Sequence, residues 1–283
     1  MIKNTKTIYM KGTKAMLIKS TPIAEMKKAY DVTGKNVVVT GGNRGIGRGI
    51  VQAFAECGAN VAIFNRDHDS GLKVARELEK YGGKYAAFQC DTADLDSVKA
   101  AVSELYKVFD HIDVVVNNAG VAPTIPFLDE KGMDEWHRII NINLHGPANL
   151  VHEIAPKMID AGLGGTIISI SAVATQRSAG AEKNHLAPYS VSKAGLDIFT
   201  RHMAILLGNY GIRVNTIVLG PIHSGLDSQL PEGSVERIET NLPVHRFGEP
   251  IEVGGLCVYM SSPAAGMVTG ANWSFDGGWL CVM

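Results

Sequence analysis

Cysteine is scarce and unpatterned. Cys57, Cys90, Cys257 and Cys281 show no CxxC spacing, which excludes a disulfide framework and a zinc ribbon and reads as reduced thiols of a cytoplasmic protein. Charge of one sign is also lacking. A formal net charge of −1 gives no whole-molecule field to draw the chain to nucleic acid or to an acidic membrane. No apolar run approaches the roughly eighteen residues of a membrane span. The nine histidines fall into no ligand spacing, and "HEIAP" (152–156) lacks the second His of HExxH, so no metal site is expected. There is no GxSxG elbow for hydrolysis, no GK[ST] for a Walker loop, no Pro/Ser-rich linker and no internal repeat.

What is present is a core. The chain has 283 residues, 46% of them hydrophobic, enough for one large α/β domain. From Lys35 onward, short β-branched runs alternate with amphipathic segments such as "GLKVARELEKY". The runs at 36–40, 60–64, 85–89, 112–117, 166–171 and 212–218 read as buried strands, with 271–275 as a last one. Strands separated by helices form right-handed βαβ crossovers and a parallel sheet. The expected fold is therefore a doubly wound α/β domain over residues 33–283, with helices on both faces. Before it lies a basic arm, residues 1–32, in which seven lysines face only Glu25 as a carboxylate before Asp31. No apolar h-region or small-residue cleavage site follows its basic start, so it does not read as a signal peptide. It is expected to be ordered against the body or a neighbouring subunit.

In such sheets ligands bind beyond the carboxyl ends of the strands. The first strand exits into "TGGNRGIG". Gly41, Gly45 and Gly47 permit a tight turn and a close backbone approach to a pyrophosphate, with Asn43, Arg44 and Ile46 between them. The helix that follows offers unpaired N–H groups and a positive dipole end. At the end of the second strand, where a carboxylate would hold the ribose 2′-OH of NAD, the chain reads Asn65-Arg66. Arg66 and Arg44 supply two guanidiniums for a 2′-phosphate, so NADP is favoured, with NAD possible through Asp67 as a displaced ribose ligand.

"YSVSK" places Tyr189 and Lys193 four residues apart, on one face of a helix. A free phenol has a pKa near 10, and bringing it to about 7 takes roughly 4 kcal/mol of differential stabilisation. A neighbouring ammonium supplies part of that.

Together, "TGGNRGIG", "CDTAD", "NNAG", "NINLHG", "YSVSK", "GIRVNTI" and "TGANWSFDGG" resemble the classical short-chain dehydrogenase/reductase family in order and spacing, from about Thr33 to Gly278. The resemblance implies a seven-stranded Rossmann sheet, NAD(P)(H), hydride transfer between a secondary alcohol and a ketone, and a homotetramer. By the same resemblance Asp91 and Thr92 would meet the adenine, and Asn118, Ala119 and Gly120 the inner ribose. Gly220, Pro221, Ile222 and Ser224 would meet the nicotinamide, although Leu219-Gly220-Pro221 departs from the usual Pro-Gly. Tyr189 would exchange a proton with the substrate oxygen, Lys193 would also hold the nicotinamide ribose, and Asn143 would extend the proton relay.

One member of the pattern is displaced. In "TIISISAVAT" the family's serine position falls on Ala172, and the hydroxyl is on Ser171, one residue early. Strand alternation would turn Ser171 away from the site unless the strand end bends, and Ser171 is carried as the candidate hydroxyl. The substrate would be shaped by 175–188 and 223–248, which leave polyols, keto-sugars and hydroxysteroids open. A nucleotide-binding sensor or scaffold with weak catalysis is the rival reading, because of Ala172.

Overall fold

A run of apolar residues with no polar alternation makes a strand only when both of its faces are covered. Five runs do so here, and two partly covered runs form the edges of the sheet. The computed structural model describes residues 25–176, 186–225 and 232–282. Its strands are β1 (Asn36–Thr40), β2 (Asn60–Asn65), β3 (Tyr85–Gln89), β4 (Val114–Asn117), β5 (Gly165–Ala172), β6 (Ile212–Leu219) and β7 (Asn272–Phe275). Every neighbouring pair is parallel, in the order β3-β2-β1-β4-β5-β6-β7. The helices are α1 (Gly45–Glu56), α2 (His68–Leu78), α3 (Leu95–Val108), α4 (Gly132–Ile140), α5 (Gly146–Ala161), α6 (Ala187–Gly208), α7 (Ser234–Asn241), α8 (Pro250–Ser261) and α9 (Trp279–Val282).

Strand alternation divides the core in two. Val37, Val39, Ile168 and Ile170 face one layer, where Phe54 of α1 and Val253, Cys257 and Met260 of α8 cover them. Val38, Val115, Ile167 and Val214 face the other, covered by Leu105 of α3, Ile154 and Met158 of α5 and Leu207 of α6. The expected strands are all present. The fourth starts at Val114 rather than Ile112; at Asp113 the main chain still pairs with both neighbours, N donating to Asn36 O (2.9 Å) and O accepting from Thr166 N (2.8 Å), while its Oδ2 accepts from Asn36 N (2.8 Å).

The chain leaves β1 in one direction and β4 in the other, so the β1–β4 gap is the switch point where a crevice opens. Thr40 closes its floor. Its Oγ1 accepts from Asn118 N (3.0 Å) and Ala119 N (2.9 Å), and Asn118 Nδ2 donates back to Thr40 O (2.9 Å). The loop after β1 is thereby locked to the loop after β4.

Residues 1–24 of the basic arm lie outside the described residues. The end of the arm packs on the body: Ala29 and Val32 are buried, and Ala29 O accepts from Ala264 N (2.7 Å). The Tyr30 ring lies 6.2 Å from Tyr259, which in turn tilts against Trp273 of the edge strand β7 at 5.6 Å.

Candidate active site

Tyr189 and Lys193 sit on the first two turns of α6, facing the end of β5. Lys193 is buried, and its Nζ donates to Ile170 O (2.7 Å). The ammonium lies 5.8 Å from the centre of the Tyr189 ring. Burial pushes Lys193 down to about 8, partly opposed by the charge of Asp197. Tyr189 opens onto the cavity, yet the atoms packed around its hydroxyl push it up to about 12. Ligand-free, the phenol is therefore firmly protonated.

The same cavity is walled by Asn118 and Gly120 after β4, by Ala172 from β5 and by Gly220, Ile222 and Ser224 after β6. Residues predicted from four separate stretches of sequence thus converge at the switch point. A Cβ on Gly120 would lie 3.3 Å from Asn143 Oδ1 and 3.5 Å from Lys193 Nζ. A side chain there would press on the Asn143 amide oxygen and touch the ammonium. A Cβ on Gly47 would lie 2.1 Å from Gly41 O, so the phosphate loop folds only as written. These open cradles fit a dinucleotide.

At the cofactor's expected far end, Asp67 is exposed and engages one carboxylate oxygen. It caps α2, accepting from Ser70 N (3.2 Å). Asn65 is buried; its amide donates to Asp67 O and to Ser70 Oγ (3.4 Å), and Asn43 Nδ2 donates to the same hydroxyl (2.8 Å). Arg44 and Arg66 are exposed on either side. Asp91 closes the turn after β3, accepting from Ala93 N (3.0 Å), and Thr92 is buried with its carbonyl accepting from Asn149 Nδ2 (3.0 Å). Pro221 O accepts from Gly248 N (3.0 Å) and His223 N donates to Gly248 O (2.9 Å), which steadies the turn where the chain departs from Pro-Gly.

Asn143 lies in a π-helical turn, Asn141–His145, between α4 and α5. Such a turn carries one extra residue and commonly marks a functional position. Here it leaves Asn143 fully buried, and the amide is fully engaged. Its Oδ1 accepts from Val121 N (2.9 Å) while Nδ2 donates to Val121 O (2.9 Å) and Ser192 Oγ (3.3 Å). The side chain therefore fixes the loop after β4 against α6.

β5 keeps its ladder to the end, with Ser171 opposite Val218 and Ala172 opposite Leu219. No bulge re-aims Ser171. It shares the strand face of Ile167, toward the α5–α6 layer, with its Oγ buried and at hydrogen-bond geometry to no partner.

Sequence reasoning missed a brace. Glu135, buried on α4, takes a bidentate grip from Arg138, Nε to Oε2 (2.6 Å) and Nη2 to Oε1 (2.9 Å), and accepts from Thr124 N (2.7 Å). Arg138 Nη2 also donates to Ala122 O (3.1 Å). The pair pins the loop bearing Val121 and Ala122, both in the cavity wall. The i,i+3 Glu/Arg spacing was visible in the sequence; its distant backbone partners were not.

A crevice at the switch point, an open glycine loop, and a Tyr/Lys pair beside it define a dinucleotide-dependent oxidoreductase. A family model described as Enoyl-(Acyl carrier protein) reductase matches residues 40–280. An L-rhamnose 1-dehydrogenase (NAD(P)(+)) of Azotobacter vinelandii is 37% identical over 252 residues, covering 86% of this chain and 96% of that protein. A 3beta-hydroxysteroid dehydrogenase 1 of Eggerthella lenta is 32% identical, covering 88% and 94%. The crystal structure of a gluconate 5-dehydrogenase from Burkholderia cenocepacia in complex with NADP and tartrate aligns with a TM-score of 0.83 at 28% identity, covering 90% of this chain and 99% of that one. The chain belongs to the short-chain dehydrogenase/reductase family, and it is an NAD(P)-dependent oxidoreductase of alcohols and carbonyls. Among the described residues no helix is long and apolar enough to cross a membrane, and no His/Cys/Asp/Glu group has metal-binding geometry.

The Arg138 grip holds the Glu135 carboxyl down at about 2, against an ordinary 4.5. A depressed carboxyl stabilises the fold above pH 4.5 and loses that contribution as pH falls toward 2. Glu135→Gln is expected to lower the melting temperature by roughly 3–6 °C at pH 7. The gap from the parent should close as the pH is taken from 4.5 to 2, read by circular dichroism melts.

Proposed function

We propose that this protein is an NADP(H)-preferring dehydrogenase/reductase of a sugar or polyol. The observation that carries the catalytic reading is the convergence of Tyr189, Lys193, Gly120 and Gly220 on one cavity. The sugar preference is supported by the similarity to the rhamnose and gluconate enzymes. The hydroxysteroid relative keeps a hydroxysteroid substrate as the second reading.

In this reading the phosphate loop, Gly41 to Gly47, cradles the pyrophosphate. Arg44 and Arg66 take the 2′-phosphate, and Asp91 and Thr92 flank the adenine. Asn118, Ala119 and Gly120 line the ribose, and Gly220, Pro221, Ile222 and Ser224 border the nicotinamide. The bound cofactor supplies or accepts the hydride. Tyr189 donates its proton to the substrate oxygen during reduction, and burial keeps that proton in place until a carbonyl arrives. The Lys193 ammonium then stabilises the phenolate. Asn143 acts by holding Val121 and Ser192, flanking residues of the relay. Ala172 offers no second donor to the carbonyl. Ser171 belongs to the proposal as part of the wall behind Lys193.

The homotetramer implied by the family is supported by an exposed apolar row on α6: Val191, Ile198 and Ile205, each seven residues from the next. A cytoplasmic location is supported by the four free thiols, two of them buried.

Two measurements follow from this reading. Tyr189→Phe should still quench on NADPH binding but lose about 10²–10⁴-fold in kcat against a panel of aldoses, polyols and ketoses followed at 340 nm. Near-parental turnover would move the proton donor elsewhere. Arg66→Asp should reverse a parental preference for NADPH over NADH in kcat/KM. A parent that already favours NADH tenfold, about 1.4 kcal/mol, would contradict the guanidinium argument.

A further inference from the structure

Two turns below Tyr189 and one below Lys193, α6 carries a third ionisable group on the same face. Asp197 is 4% exposed, and a carboxylate is rarely buried without a task. On its own helix it is faced by the charges of Lys193 and Arg201. From β5 and the turn after it, the Ser171 and Thr175 hydroxyls approach it. No other charged or titratable described residue acts on it. Burial raises its pKa, and those four neighbours hold it down.

The contacts are close but incomplete. Ser171 Oγ, Thr175 Oγ1 and Asp197 Oδ1 are all buried, and all three fall outside hydrogen-bond geometry. Three orphaned polar atoms thus cluster beside the backbone that receives Lys193 Nζ, at Ile170 O.

We infer that Asp197 is a positioning residue for the Tyr189–Lys193 pair, acting as the buried counter-charge to Lys193 beside the end of β5. This rests on the catalytic reading of that pair, but its charge component does not. Without the carboxylate, the proton of the pair shifts from the lysine toward the tyrosine, because Lys193 is one turn from Asp197 and Tyr189 is two. Phenolate with ammonium, the form left once Tyr189 has given its proton to the substrate oxygen, becomes rarer still, so the proton transfer is less well stabilised.

The test uses the full-length chain with lysines ¹³C-labelled at Cε, Lys193 being assigned by the signal lost in Lys193→Arg. In the parent Lys193 should titrate at about 8. In Asp197→Asn its midpoint should fall by about one pH unit, with roughly a tenfold loss of kcat and little change in substrate KM. Asp197→Glu should restore the midpoint toward the parental value. A purely structural aspartate would lower the melting temperature and leave the midpoint in place, and an unchanged midpoint in Asp197→Asn overturns the inference. Should Asp197→Asn not fold, Asp197→Ser, which also removes the charge, decides: its Lys193 midpoint should fall as well, and no movement overturns the inference. If the parent turns over none of the sugars, the catalytic reading fails separately while the titration still tests Asp197.

Discussion

A positive charge held out of water is the constraint on which the site turns. An ammonium stripped of its hydration is costly unless polar groups replace the water. Lys193 has one main-chain acceptor, at the end of β5, and a carboxylate one turn along its own helix. That acceptor is available only because β5 stays in its ladder with β6 through Ala172. The sheet thus sets where the charge sits, and α6 sets which side chain meets it. Gly120 lies beside both the ammonium and the Asn143 amide, where a Cβ would sit 3.5 Å and 3.3 Å from them.

Around this charge the protein spends its buried polar groups on holding loops still. Asn143 fixes Val121 and Ser192, Glu135 with Arg138 fixes Thr124 and Ala122, and Thr40 fixes Asn118 and Ala119. All three braces act on the segment leaving β4. That segment forms one wall of the cavity and carries none of the proton chemistry. Rigid walls keep reacting groups within the small tolerances that proximity effects require.

The strands were legible because β-branched runs without polar alternation have one stable home, the middle of a covered sheet. The Tyr189–Lys193 pair was legible because helical spacing is a property of sequence alone. Asp197 obeys the same spacing, at four and eight residues, and was overlooked because an acid on a helix is usually solvated. The Glu135 brace depends on contacts that only the folded chain creates. Asp67, read as a displaced ribose ligand should the cofactor be NAD, caps α2 through Oδ1. Parts of the segments expected to shape the substrate, 177–185 and 226–231, lie outside the described residues.

Ala172 distinguishes this site within its family pattern. In the proposed reaction, with a methyl group where the family's serine would stand, polarisation of the carbonyl falls to Tyr189 and to the charge behind it. Oxyanion donors elsewhere are worth about 2.7–4 kcal/mol, so their absence places more of the work on a correctly charged Lys193. The central claim is that hydride passes directly between a nicotinamide and a carbinol carbon in this cavity. The most direct measurement supplies NADPH deuterated at C4, one stereoisomer at a time, with a ketose, and follows the label by mass spectrometry. The account predicts that one stereoisomer places a single deuterium on the new carbinol carbon. Reduced product without deuterium from either stereoisomer, or binding of NADPH with no product from any sugar, polyol or steroid offered, would contradict it.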